Sequence, residues 1–281
     1  MPARKASSSK KSSSKKGGAA QVIVPRKIRR FGWTPDLPDH RDKVYSAPFV
    51  HAAQLPPSVD LRSGCPPVYD QGHLGSCTGN AIAAAIEFDQ MKQKQSDIFV
   101  PSRLFIYYNE RVMEGTVGQD AGAMIRDGIK SVNKLGAPHE KLWPYSDAAP
   151  GPFTKKPSSA AYADALKHQV TLYQRLPRAE MQLKGCLASG YPFVFGISVF
   201  DSFMTPEVAK SGRAPMPKPK EALLGGHAIL CVGYDDNKRR FTFRNSWGPG
   251  WGNKGYGTLP YEYVLDPNLA DDYWTIRTVE G

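Results

Sequence analysis

The chain has 281 residues, 41% of them hydrophobic, and a formal net charge of +11. That length and apolar content support a real core, in one large domain or two small ones, and exclude a chain too polar to fold. Ten of the 37 bases and none of the 26 acids fall in residues 1–30, which leaves a nearly neutral body of 27 bases against 26 acids and argues against a nucleic-acid-binding body.

In chain order, residues 1–30 come first. The stretch "MPARKASSSKKSSSKKGGAA" is rich in Ser, Lys and Gly. It holds too little apolar surface to repay the entropy of ordering, so a disordered basic tail is expected. Weak contact with nucleic acid or an anionic surface is expected through this tail alone. Its acid-poor, Ser-rich start also has a transit-peptide character, but "QVIV" is too short for a secretory h-region and no apolar run approaches a membrane span. The expected location is cytoplasmic, or outside by a non-classical route.

Residues 31–56 are proline-rich and lack helical periodicity, so they read as an extended leader before a folded domain over residues 57–281. The first half of that domain reads helical. Small and apolar residues recur at helical spacing from Cys77 to Lys92. "PSRLFIYYNERVM" follows with Ser102 as N-cap, and "AGAMIRDGIKSVNKLG" closes at Gly136. The second half changes period. "HQVTLYQRL" alternates weakly and "RAEMQLKGCLAS" returns to helix. "PFVFGISVF", "HAILCVGY", "FTFRNSW" and "YWTIRTV" then carry the aromatic and β-branched residues of strands. Helices first and strands later imply an α+β class with two subdomains and a cleft between them.

The four cysteines, Cys65, Cys77, Cys186 and Cys231, are scattered, unlike a disulfide framework, although a Cys65–Cys186 or Cys65–Cys231 bridge stays open. Cys231 follows His227 by four residues, but one His and one Cys make no metal site, and no metal or cofactor is expected. Gly250 to Gly255 fits G-x-G-x-x-G but leads into "YGTLPYEYV", read as non-helical, so it cannot cradle a pyrophosphate.

The stretch "QGHLGSCTGN" delivers Cys77 to the first turn of a helix, where the dipole favours thiolate, the reactive form of a cysteine. Alone, such a thiol is as well explained by packing. A base comes from "GGHAILCVGY", which places His227 at the start of a strand, and an orienting oxygen from Asn245 at the end of the next. Trp247 can shield that polar pair from water. Gln71, six residues before Cys77, can point an amide where the Cys77 N–H points, as an oxyanion hole requires.

At these residues the chain resembles the papain-like cysteine peptidases, in a bacterial-type form with a short leader. "QGHLGSC", "GHAILCVGY", "NSWGPGWGNKGY" and "LWPY" carry the resemblance, in the order Cys, His, Asn with gaps of 150 and 168 residues. It implies a helical half and a β-sheet half with the site in the cleft between them. It implies Cys77 as nucleophile, His227 as base and acid, Asn245 as orienting residue and Gln71 as oxyanion donor. Substrate contacts are implied at Gly122, Ala123 and Gly226, for an extended protein or peptide substrate. Thr78 stands where the family has an aromatic residue, Leu74 where it has a second cysteine, and Ala123 where it has a second glycine, which is expected to narrow the peptide edge. The implied activity is a monomeric cysteine endopeptidase. An acyl transferase or transpeptidase with the same residues, and a non-catalytic peptide-binding module, are the alternatives. Residues 31–56, with apolar Trp33 and Leu37 and stiff Pro35 and Pro38, are expected to lie in the cleft as a built-in inhibitor.

Overall fold

The computed structural model describes residues 31–47, 55–148 and 151–280. The basic tail and leader residues 48–54 lie outside the described residues. The helical half holds the three expected helices. α1 (Cys77–Lys92) is buried at every position from Cys77 to Gln90. Small residues on all sides let it serve as a central helix, packed by both halves. α2 (Arg103–Glu114) starts at Ser102, whose hydroxyl accepts the Phe105 N–H at 3.2 Å, and stops at Gly115 in the left-handed region. α3 (Ile125–Leu135) stops at Gly136, at φ 73°.

A short helix, α4 (Ser159–Ala165), leads to the strands. They are β1 (Ser58–Asp60), β2 (Val170–Arg175), β3 (Phe193–Phe200), β4 (Leu223–Asp235), β5 (Arg240–Arg244), β6 (Tyr256–Pro260) and β7 (Ala270–Val279). All their pairings are antiparallel, in the order β2-β7-β3-β4-β5-β6, with β1 added on β4. α5 (Glu180–Ala188) precedes β3, α6 (Pro206–Ser211) lies between β3 and β4, and α7 (Tyr261–Leu265) precedes β7.

The sheet separates two cores by its period of two. Phe193, Phe195, Ile197 and Val199 of β3, with Ile229 and Cys231 of β4, enter an aromatic core. Val194, Ala228, Leu230 and Val232 turn the other way, against Ile82 and Ile86 of α1 and Ile129 and Val132 of α3. The papain-like α+β division thus rests on one sheet that faces helices on one side. The N-terminus of α1 meets the beginning of β4, and this junction positions the site.

Two readings need adjustment, and three short elements carry no sequence signal. All four cysteines are free, so neither bridge from Cys65 forms. The Gly250–Gly255 run enters β6, as its rejection requires, but "YGTLPYEYV" is not wholly non-helical: its second half is the single turn α7. β1, α4 and α6 have three, seven and six residues, too short for a periodic signal to show.

Candidate active site

Cys77 opens α1 and is fully buried. Its sulfur accepts the backbone N–H of Ala228 at 3.3 Å, which brings the α1 terminus against β4 one residue from His227. His227 Nε2 lies 2.9 Å from Asn245 Oδ1, and the same oxygen accepts the Ser246 N–H at 2.8 Å. Asn245 follows the last residue of β5, so the β4–β5 pairing sets the two side chains together. Trp247 stacks on the imidazole, with ring centroids 4.8 Å apart and planes 28° apart. Phe203 and Trp251 meet Trp247 edge-on at 5.8 and 5.4 Å and fix its plane.

Gln71 is 1% exposed. Its Nε2 donates to the Leu74 carbonyl at 3.0 Å and its Oε1 accepts from Ser246 Oγ at 2.6 Å. The cysteine loop is thereby tied to the Asn-Ser-Trp loop. One of the two Nε2 protons is committed to Leu74, and the other is the one a developing oxyanion would take.

The leader crosses this site. Trp33 pairs with Ala123 in parallel: the Ala123 N–H donates to the Gly32 carbonyl at 2.7 Å, and the Thr34 N–H donates to the Ala123 carbonyl at 3.0 Å. On the opposite wall the Trp33 N–H donates to the Gly226 carbonyl at 2.9 Å. The Gly32 backbone amide lies near enough to the Cys77 sulfur to lower the thiol pKa. The Phe31 ring sits edge-on to His227, 6.4 Å between centroids. A Cβ on Gly32 would lie 1.7 Å from the Gly75 carbonyl oxygen, and one on Gly122 would lie 2.3 Å from that of Gly32. Only bare backbone allows this approach. Gly122 spends its own N–H on Tyr107 Oη at 3.1 Å, so it contributes space rather than a donor.

Leader residues further on are anchored by polar contacts that sequence reasoning missed. The Trp33 indole N–H donates to Asp272 Oδ2 at 3.1 Å, and the Asp36 N–H donates to the same oxygen at 2.7 Å. Trp274 Nε1 and the Arg126 N–H donate to the two oxygens of Asp36, at 2.9 and 3.0 Å. Arg126 also bonds the Leu37 carbonyl and forms a 2.6 Å ion pair with Asp42. These partners come from α3 and β7, far from the motifs, and no local pattern marks them. Leu37, expected as an apolar anchor, is 68% exposed. Trp33 holds the leader instead, its ring laid on Gly196 of β3, where a Cβ would meet it at 2.0 Å.

The departures from the family pattern have local explanations. Thr78 donates to Glu110 Oε2 at 2.6 Å, and both are buried beneath the start of α1. Burial raises the Glu110 pKa to about 8, so the carboxyl stays protonated and adds no negative charge beside the thiol. Ala123 does not narrow the peptide edge, because it packs with Leu74, Leu104 and Tyr107 in a small core while its backbone still pairs with the leader.

Burial also sets the protonation of the covered pair. It pushes the Cys77 thiol up to about 12, against the lowering effect of the Ala228 and Gly32 amides. It pulls His227 down to about 4, against the hydrogen bond that its ring donates to Asn245 Oδ1. Under the leader the two groups are therefore a neutral thiol and a neutral imidazole.

Comparison with known proteins identifies the family. The model of the papain family of cysteine proteases matches residues 55–265. An uncharacterised peptidase C1-like protein of Acanthamoeba polyphaga mimivirus is 42% identical over 276 residues, covering 89% of this chain and 88% of that protein. A cathepsin B-like protein of Giardia intestinalis is 29% identical over 74% of this chain and 70% of its own length. Among solved structures, xylellain, a cysteine protease from Xylella fastidiosa, superposes with a TM-score of 0.85 at 49% identity, over 92% of this chain and all of that one. Procathepsin B of Trypanosoma congolense shares the fold, with a TM-score of 0.69 at 16% identity over 86% of this chain and 84% of that one. The chain belongs to the papain family of cysteine proteases and is a cysteine-type peptidase.

Proposed function

We propose that this peptidase cleaves peptide bonds with Cys77 as nucleophile, and that residues 31–47 hold it in a covered resting state. In the open enzyme the Cys77 thiolate attacks the scissile carbonyl carbon. The oxyanion is held by the Cys77 N–H and the second Nε2 proton of Gln71, and such a donor contributes about 3–4 kcal/mol to the barrier in comparable enzymes. The carbon–nitrogen bond breaks as protonated His227 gives its proton to the leaving amine. Water then releases the acyl group, His227 takes the water proton, and the thiolate is restored. Asn245 keeps Nε2 of the imidazole engaged, which leaves Nδ1 for proton exchange.

The observation that carries this reading is the backbone pairing of the leader. Ala123 and Gly226 are the edges expected to grip a substrate, and both grip Gly32 to Thr34. The leader also reaches the Cys77 sulfur, whose pKa the Gly32 amide lowers.

The test uses the full-length chain and a chain starting at Gln54, each treated with an epoxide peptide inhibitor. The short chain should be labelled on Cys77, as mass mapping would show, and should have the higher kcat/KM on a peptide substrate. Label on Cys65, Cys186 or Cys231 would remove Cys77 from its role. Equal kcat/KM for the two chains, without inhibition by added leader peptide, would remove the leader from its role. An acyl-amine product in the presence of added amine would shift the reading to acyl transfer.

A further inference from the structure

Away from the cleft, Asp97, His139 and His168 meet on the helical half. Asp97 lies in the chain leaving α1, His139 in the chain leaving α3, and His168 in the turn between α4 and β2. One potential ligand atom from each lies within 4.8 Å of the other two, the arrangement that stands out for a metal ion among the described residues. His139 Nε2 is 3.0 Å from Asp97 Oδ2. Its other nitrogen, Nδ1, is 2.8 Å from Asp164 Oδ2, which also accepts the His139 backbone N–H at 3.0 Å. The two imidazoles meet edge-on, 5.3 Å between centroids. Phe99 stacks on His139 at 3.8 Å and edges His168 at 4.6 Å, so an apolar wall sets both rings.

His168 is 7% exposed, yet its Nδ1 has no hydrogen-bond partner. A buried polar atom left unpaired costs about 1–3 kcal/mol, so folds rarely keep one without a use. A His139 ring bridging Asp97 and Asp164 would explain those three residues without a metal. It would not explain the orphan nitrogen of His168. A cation held by Asp97, His139 and His168 would give His168 a polar partner. Asp164 then serves as the carboxylate that fixes the tautomer and direction of a ligating histidine.

We propose that Asp97, His139 and His168 bind a divalent transition ion, zinc foremost, which clamps three connections of the helical half. Two imidazoles and a carboxylate suit zinc, and ligand–metal distances of about 2.0–2.2 Å put tetrahedral ligands about 3.3 Å apart. The His139–Asp97 pair is already near that separation, and a ligand atom of His168 lies within 4.8 Å of both. The Asp97 side chain is 61% exposed, so the fourth position opens to water. The three ligands come from segments 42 and 29 residues apart, which is why no zinc motif appears in the sequence and none was expected from it. The site lies outside the cleft.

The test titrates zinc by calorimetry into chelator-treated, untagged full-length Cys77→Ser protein, so that the active-site thiol does not compete. One zinc per chain should bind and raise Tm. Cobalt should bind at the same stoichiometry without the intense thiolate charge-transfer absorption. Asp97→Ala and His168→Gln should each weaken zinc at least about 100-fold. Asp164→Asn, which acts through His139, should weaken it about 10–100-fold. Asp97 is exposed, so its variant carries the test even if the His168 variant is unstable. No zinc uptake, uptake unchanged in Asp97→Ala, or a cobalt spectrum dominated by thiolate would each overturn the site.

Discussion

Cys77 sits where two effects oppose each other. The N-terminus of α1 favours its thiolate by up to about 2 kcal/mol. Full burial disfavours the same charge by as much as 3–5 pKa units, at about 1.4 kcal/mol each, so burial wins. The thiol at about 12 and the imidazole at about 4 are the result of that burial, to which the Phe31 ring beside His227 belongs. The sign is direct. A thiol whose pKa is raised reacts only as pH climbs toward that value. In the full-length chain, alkylation of Cys77 by iodoacetamide should stay slow through neutral pH and rise only in strong alkali. In the chain starting at Gln54, water and the recovered imidazolium should bring that rise down to neutral pH or below. Mass mapping of the Cys77 peptide separates it from the other three thiols. Equal rates at pH 7 would mean that the leader does not control the thiolate.

At the scale of elements, α1 carries both Cys77 and an unusual load. Asp89, on its later turns, is 1% exposed and neither carboxylate oxygen has a partner. Burial raises its pKa to about 8, against weak help from Arg277 and Lys92. The unfolded chain ionises Asp89 near its ordinary value of 3.8, so between that pH and 8 folding must take up a proton, and stability falls as pH rises. Asp89→Asn removes the penalty. Its Tm at pH 7 should rise by at least about 2–4 °C, the shift expected per kcal/mol in a domain of this size, and the gain should vanish near pH 4. A gain of the same size at both pH values would assign it to something other than titration. The charge pattern around Asp89 was not legible in the sequence, although the helix was. α1, α2 and α3 showed themselves by apolar spacing and by Ser102 and Gly136, and β3 and β4 by aromatic and β-branched runs. Cys77, His227, Asn245 and Gln71 showed themselves because their flanking motifs are contiguous. Asp272, Arg126 and Trp274 did not, because each meets the leader only after β7 and α3 have been packed beside one another.

At the scale of the whole molecule, the leader ties the two halves together across the cleft. Trp33 and Asp36 engage Asp272 and Trp274 of β7, while Thr34 and Asp42 engage Ala123 and Arg126 on the helical side. Beyond them, the Tyr45 N–H donates to the Arg175 carbonyl at 2.7 Å, and the Ala47 N–H donates to Gln182 Oε1 at 2.7 Å. The Arg126–Asp42 pair is the deepest charged contact of this set, with side chains 6% and 4% exposed, and Arg175 adds a second cation to Asp42 at 3.3 Å. Breaking a buried pair from one side costs roughly 3–5 kcal/mol, because the remaining charge stays buried. Arg126 keeps the Leu37 carbonyl as an acceptor, so the loss should be smaller. In the full-length chain, Asp42→Asn should still weaken the hold of the leader by at least about 1.4 kcal/mol, a factor of ten. The expected outcome is a tenfold or greater rise in kcat/KM toward that of the chain starting at Gln54. A synthetic peptide of residues 31–47 carrying the same change should inhibit that short chain correspondingly less. An unchanged kcat/KM, with a parallel loss of Tm, would show that Asp42 supports the fold and leaves the grip on the cleft to Trp33 and the backbone pairing at Ala123 and Gly226.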